Sequence, residues 1–283
     1  MPMMLSEILL VTDCDGTLLQ NDQSIAEEDI SAIRAFREAG GNFTVATGRS
    51  IPTGAQVLRQ LELTLPCVLY NGSMLYDSAG EQILWTAEVP SGARFLVREV
   101  LERFGTEVGI EVLTLEGMWV LSFNQLVDAH LNGRCSAPYR VVSYEDIAEA
   151  HWLKVMFAMP EEQMPDFSAF LRGFPVEGVR FVRSEKLFFE ILPAGATKGN
   201  ALKRLCRRTG LRLSQTVTIG DCDNDLEMLQ AARVGVAVAN AFPELKAAAD
   251  LVTVTNREHA VAAVIEELMW DPEKYLIQYG KGV

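Results

Sequence analysis

Two carboxylates open the chemistry of this chain: Asp13 and Asp15 stand two positions apart, just after the apolar run Ile8-Leu9-Leu10-Val11 and before Gly16 and Thr17. An aliphatic run with β-branched residues reads as a buried strand, and buried parallel strands place ligands beyond their carboxyl ends. Two acids held so close are costly unless a cation joins them. A divalent metal would offset their repulsion and leave an oxygen free to attack phosphorus. Asp and Gly are also ordinary turn residues, so taken alone the segment reads equally as a turn followed by a helix cap. Partners downstream decide between the two.

Three later segments supply such partners. Thr47-Gly48 closes a strand-like stretch, where a hydroxyl and closely approached backbone amides could hold phosphate oxygens, although taken alone it reads as a helix entry. Lys198 opens a helical pattern, a position where a cation opposes the helix dipole; it reads either as a solvated lysine, the commoner case, or as one paired with acids and a ligand anion. A second strand, 216–220, runs into Asp221, Asp223, Asn224 and Asp225 directly before the helical face of Leu226, Met228 and Leu229. Capping needs one or two of those four. Asp221, at the strand end, is the natural metal ligand, and Asn224 can donate to phosphate. Asp225 either binds metal through water or orients Lys198, and Asp223 caps the helix.

The elements that must carry these residues alternate at both ends of the chain. After the first strand, Ser24 and Glu27 suggest a capping box, Ile30, Ile33 and Phe36 mark a helical face, and Gly40-Gly41 stops it. Strands follow at 42–46 and 67–70, and 74–89 reads as a hairpin turning at 77–80. Between them the middle reads differently, with helices at 93–104 and 161–172 among strands at 108–115, 118–123, 153–159, 179–183 and 187–191. Short turns between these strands predict an antiparallel sheet with helices on one face, inserted from about residue 86 to 187. The α/β alternation then resumes, and the tail beyond Trp270 is expected to be solvated.

The 283 residues predict two domains, with 49% hydrophobic content to fill their cores. A formal charge of −13 disfavours nucleic acid and anionic membrane as partners. Five scattered cysteines, without a C-x-x-C pair, fit neither a disulfide scaffold nor structural zinc. The short first apolar run lacks a basic leader and is expected not to be a signal peptide. No uncharged run reaches the roughly 18–20 residues of a membrane helix, so a cytoplasmic protein is expected. The sequence carries no signal for oligomeric state.

Together the motifs resemble those of the haloacid dehalogenase-like hydrolase superfamily, and specifically its Cof-type (subfamily IIB) phosphatases with a C2-type cap. Asp13-Cys14-Asp15-Gly16-Thr17 matches the first motif, Thr47-Gly48-Arg49 the second, Lys198-Gly199 the third, and the stretch from Gly220-Asp221 to Asn224-Asp225 the fourth. Asn71-Gly72 and the Val-Ala-Val-Ala-Asn-Ala segment at 236–241 add to the likeness. The resemblance implies an α/β fold: a Rossmann-like doubly wound parallel-sheet core at 1–85 and 188–283, and an inserted α+β cap at 86–187 that sets specificity. It implies that Asp13 attacks phosphorus, forming an aspartyl-phosphate, and that Asp15 protonates the leaving alcohol and then deprotonates water. Mg²⁺ would be held by Asp13, the Asp15 carbonyl and Asp221. Thr47, Gly48, Lys198, Asn224 and the Cys14 amide would bind the phosphoryl oxygens, with Thr17, Arg49 and Asp225 in support.

The implied activity is a Mg²⁺-dependent phosphatase of small phosphorylated metabolites such as sugar phosphates, nucleotides or phosphorylated cofactors. Alternatives are a phosphomutase of the same fold and a phospho-ligand-binding regulator without turnover. Three positions depart from the usual pattern. Cys14 and Cys222 suggest sensitivity to oxidation or thiol-binding metals, and His259 stands where the family usually has Gly. Arg134, Tyr139, Arg140, Arg183 and Lys186 are cationic or aromatic residues of the cap, each expected at the surface.

Overall fold

Strand β1 (Leu9–Thr12) is buried along its whole length, as a continuous apolar run covered on both faces must be. In the computed structural model, which describes residues 3–135 and 138–281 and only the backbone of 133–135, it is an interior strand of a five-stranded parallel sheet. Helix α1 (Glu27–Glu38) buries Ile33 and Phe36 and leads to β2 (Asn42–Val45), paired in parallel with β1. Its cap is not Ser24: the Ser24 hydroxyl and amide both turn to Asp22 Oδ1, at 2.6 and 3.0 Å, and Ala26 takes the N-cap position without a side-chain bond. Helix α2 (Ile51–Leu61) precedes β3 (Cys67–Leu69), which extends the parallel arrangement through a single bridge between Ala46 and Val68. β3, β4 (Met74–Asp77) and β5 (Gln82–Thr86) form a small sheet. Asp77 Oδ1 closes the β4–β5 turn by accepting the Ala79 and Gly80 amides.

The chain divides into two compact units, and the second comprises Arg49–Gly54 and Thr86–Ala196. Its helices include α3 (Phe95–Phe104), α4 (Gln125–Ala129) and α5 (Met164–Arg172). Its strands are β6 (Gly109–Thr114), β7 (Met118–Ser122), β8 (Tyr139–Val141), β9 (Trp152–Ala158), β10 (Val179–Glu185) and β11 (Phe188–Pro193). They form one sheet in the order β10-β11-β9-β6-β7-β8, antiparallel except for the β7–β8 pair. Alternate residues Ile110, Val112, Val155, Phe157, Phe189 and Ile191 join α3 and α5 in one apolar core, leaving Glu111, Lys154 and Glu190 on the opposite face. α4 and β8, both short, are not foreseen in the sequence. The β10–β11 hairpin carries this unit past residue 187, because β11 is the strand that joins β10 to β9.

From Thr197 the chain belongs again to the first unit, Met1–Gly48, Ala55–Trp85 and Thr197–Val283. Here α6 (Lys198–Thr209), β12 (Thr216–Gly220), α7 (Leu226–Ala231), β13 (Val234–Ala237), α8 (Pro243–Ala248), β14 (Leu251–Val252) and α9 (Ala260–Trp270) alternate. The tail is not a solvated end. Asp271 accepts the Lys274 amide, Pro272 pre-sets the first turn, and α10 (Pro272–Tyr279) buries Tyr275 and Leu276. The parallel sheet runs β14-β13-β12-β1-β2, so the chain leaves β1 towards one side first and fills the other side last. Strand order therefore reverses between β1 and β12, the place where open α/β sheets bind ligands.

Candidate active site

Asp13 follows β1 directly, and its amide donates to Ile219 O on β12 at 2.9 Å, which fixes the residue at the point of reversal. The next residues make a tight turn: Asp15 (φ −75°, ψ 121°) and Gly16 (φ 80°, ψ −5°) have the torsions of a type II turn, whose third position needs a left-handed residue. A Cβ on Gly16 would also lie 2.5 Å from Asp221 Oδ2, so only glycine lets the turn lie against that carboxylate. Thr17 completes the contact, its hydroxyl donating to Asp221 Oδ1 at 3.1 Å.

Lys198 is the hub. Its fully buried ammonium donates to Asp13 Oδ1 and to Asp225 Oδ1, each at 2.7 Å. Those two acids explain a cation at the start of α6, where Thr197 supplies the cap by accepting the Asn200 amide. Asp225 uses its second oxygen on the amides of Asp221 and Cys222, at 3.0 and 3.2 Å. It thus orients Lys198 and caps the turn at once, the capping role the sequence assigns to Asp223.

Thr47 is buried at the end of the β2 segment, its amide donating to Val68 O and its carbonyl accepting from Asn71 at 3.0 Å. A Cβ on Gly48 would lie 2.8 Å from Asn71 Oδ1. Asn71, itself left-handed (φ 55°, ψ 27°), accepts from Asn224 Nδ2 at 3.0 Å. Asn71 is thus a site residue that its motif flagged but whose contact no local pattern predicts. Cys14, Asp15 and Asn224 lie on the same two loops as Asp13 and Asp221. Arg49 is a residue of the Arg49–Gly54 segment. It belongs to the second unit, where its guanidinium donates to Thr53 O at 3.1 Å.

The electrostatics are unbalanced. Carboxylate oxygens of Asp13, Asp221 and Asp225 lie within 4.8 Å of one another, around a single ammonium. Burial, with the charges of Asp225 and Asp15, pushes the Asp13 carboxyl up to about 7 against the pull of Lys198. Burial, Asp13 and Asp225 hold Asp221 well above the usual carboxylate range, and Thr17 and Lys198 offset this in part. Burial disfavours the Lys198 charge, yet Asp13 and Asp225 outweigh it and raise its pKa. A buried Asn224 Oδ1 has no hydrogen-bond partner. Hard oxygen donors, surplus negative charge and an unsatisfied oxygen fit a small divalent cation such as Mg²⁺. With both Asp225 oxygens engaged, Asp13 and Asp221 are the carboxylates available to it.

Burial and the neighbouring Asp221 and Asp225 push the Cys222 thiol up to about 12, and Cys14 is buried. His259 does take the left-handed conformation (φ 64°, ψ 55°) that explains why glycine is usual there.

Haloacid dehalogenase-like hydrolases match this chain over residues 10–265. The chain belongs to that family. It is 30% identical over 271 residues to an HMP-PP phosphatase of Serratia proteamaculans, covering 93% of this chain and 96% of that one. It is 26% identical over 264 residues to a 5-amino-6-(5-phospho-D-ribitylamino)uracil phosphatase of Bacillus subtilis, covering 92% and 96%. A crystal structure of a haloacid dehalogenase-like hydrolase from Bacteroides thetaiotaomicron shares the fold, with a TM-score of 0.81 at 24% identity over 92% of this chain and 99% of that one. The Cof-type assignment and the Rossmann-like α/β core expected from the motifs both hold, and this hydrolase acts on phosphoric monoesters. No helix among the described residues is long and apolar enough to cross a membrane.

Proposed function

We propose that this hydrolase is a Mg²⁺-dependent, cytoplasmic phosphatase that releases inorganic phosphate from small phosphorylated metabolites through an aspartyl-phosphate on Asp13. The observation that carries this reading is the buried Lys198 ammonium bridging Asp13 and Asp225, with Asp221 beside them and in cationic deficit. Lys198 holds one Asp13 oxygen and steadies the charge of the transferring phosphoryl group. Asp13 attacks phosphorus as the bond to the leaving oxygen breaks, and Asp15 gives that oxygen its proton. Asp15 then takes a proton from water, which attacks phosphorus and frees phosphate and Asp13. Thr47, Gly48, Asn224 and the Cys14 amide hold the phosphoryl oxygens. Mg²⁺, held by Asp13, Asp221 and the Asp15 carbonyl, supplies positive charge to the phosphoryl oxygens when bound.

The second unit, Arg49–Gly54 and Thr86–Ala196, acts as the specificity cap. The names of the two relatives, a phosphoribitylamino-uracil phosphatase and an HMP-PP phosphatase, support small phosphorylated metabolites as the substrate class. The four described free cysteines support a reducing, cytoplasmic setting. A phosphate-release screen over phosphorylated metabolites with Mg²⁺, ranked by kcat/KM, tests the reading. Release without an added bisphosphate is expected and separates a phosphatase from a mutase. Asp13→Asn should fold and release nothing, and persistent turnover by that variant or after chelation would sink the assignment.

A further inference from the structure

Two asparagines that the phosphatase chemistry does not use hold the loop between β1 and α1. Asn240 Nδ2 donates to Gly16 O at 2.8 Å, and Asn256 Nδ2 donates to Leu19 O at 2.8 Å. The two are joined, since the Asn256 amide N–H donates to Asn240 Oδ1 at 3.0 Å. That bond fixes which way Asn240 points: its oxygen must face this donor, which leaves the nitrogen on the Gly16 carbonyl. Gln20 Nε2 adds a return contact to Asn256 O at 2.8 Å. The loop closes on itself by Leu19 N–H donating to Cys14 O at 2.8 Å, so its exit is tied internally and two further carbonyls are tied by the asparagines.

The same segment reaches the metal side of the site. Two residues after Asn240, the Phe242 amide donates to Asp221 O at 2.9 Å. Loop 238–242 therefore holds Gly16 through a side chain and Asp221 through the backbone, the two groups whose close approach only glycine allows. Asn256 is buried and Asn240 lies at the exposed rim, so the pair runs from the protein interior to the edge of the Asp15–Gly16 turn.

We propose that Asn240, backed by Asn256, is a positioning residue that clamps the Asp15–Gly16 turn and so aims the Asp15 carboxyl at the leaving oxygen. The inference rests on the phosphatase reading and deepens it. A general acid is worth its full effect only when held within hydrogen-bond reach of the atom it protonates, and a displacement near 1 Å costs up to about 10²-fold. Asn240→Asp is the sharpest probe, because it keeps the shape and removes the donor to Gly16 O.

The experiment compares kcat/KM for an alkyl phosphate, whose alkoxide needs a proton to leave, with that for 4-nitrophenyl phosphate, whose phenolate does not. The expected result for Asn240→Asp is a loss of about tenfold or more on the alkyl ester and about threefold or less on the aryl ester. Asn240→Ala carries the same expectation should the aspartate variant fail to fold, and Asn240→Gln, which keeps the donor, should recover part of the loss. Equal loss on both esters, or none on either, overturns the clamp while leaving the phosphatase standing. A wild type silent on both esters overturns the phosphatase reading, and the clamp with it.

Discussion

Each of the two units buries charge, and they do so in opposite ways. On the second unit's sheet, Lys154 pairs with Glu190 at 2.8 Å, and both oxygens of the buried Glu111 face His130 Nδ1 at 2.9 and 3.1 Å. Each carboxylate there has a nitrogen partner on a neighbouring element. In the first unit one ammonium serves Asp13 and Asp225, while Asp221 is met by a hydroxyl. Burial is common to both sets, and the imbalance belongs to one. A matched buried pair is a structural arrangement that similar-sized apolar residues can often replace, whereas a surplus of buried carboxylate is stable only if something positive arrives.

Lys198→Met should give the largest effect, because it deepens the deficit. Turnover is expected to fall about 10²–10³-fold, as for removal of a charge-stabilising donor, and unfolding stability by about 3–5 kcal/mol, as for breaking a buried pair. Steady-state kinetics and denaturant unfolding measure the two, and a variant with wild-type turnover would erase the contrast between the units. Lys154→Met alone should also cost about 3–5 kcal/mol, but the double variant Lys154→Met, Glu190→Leu should return to within about 1–2 kcal/mol of wild type. If the double variant is as unstable as the single, the second unit's pair is more than structural.

Asp29 sharpens the comparison with a smaller effect. It is a buried carboxylate in the first unit that accepts the Ala262 amide at the start of α9 at 2.8 Å, remote in role from phosphate chemistry. Burial pushes it up to about 6, against the Ala262 amide and nearby His259. The folded state therefore holds this proton more tightly than the unfolded chain, so its contribution is present at low pH and is lost as pH rises through about 6. The substitution Asp29→Asn keeps the acceptor and loses the titration. The stability of that variant relative to wild type should then rise by about 1–3 kcal/mol between pH 4 and pH 7. A difference that stays constant with pH would show that Asp29 titrates normally.

The three strand-end motifs were readable because each is local, an apolar run, then an acid or hydroxyl, then glycine or a helix start, and the fourth because Lys198 opens a helix. Which acid does what was less readable. The sequence left Asp225 two roles, metal through water or Lys198, and gave the cap to Asp223; the folded loop turns Asp225 towards an ammonium 27 residues away and onto the capping amides as well. Ser24 illustrates the same competition, since a nearer partner, Asp22, captures the side chain that the capping pattern assigns to α1. α10 escaped notice because its stability comes from burying Tyr275 and Leu276 rather than from a long apolar period. The asparagine clamp left no periodic signal at all, as its contacts span 224 and 237 residues.

The reversal of strand order between β1 and β12 sets a timetable for synthesis. Once β1 is made, the edge that will receive β12 stays open while about 200 further residues are added, which at ~5–20 residues per second is on the order of 10–40 s. Through that interval the nascent chain presents an apolar strand edge of the kind that invites wrong pairing. Asp13 is thus translated long before the lysine that pairs with it, so no chain released before Lys198 carries both.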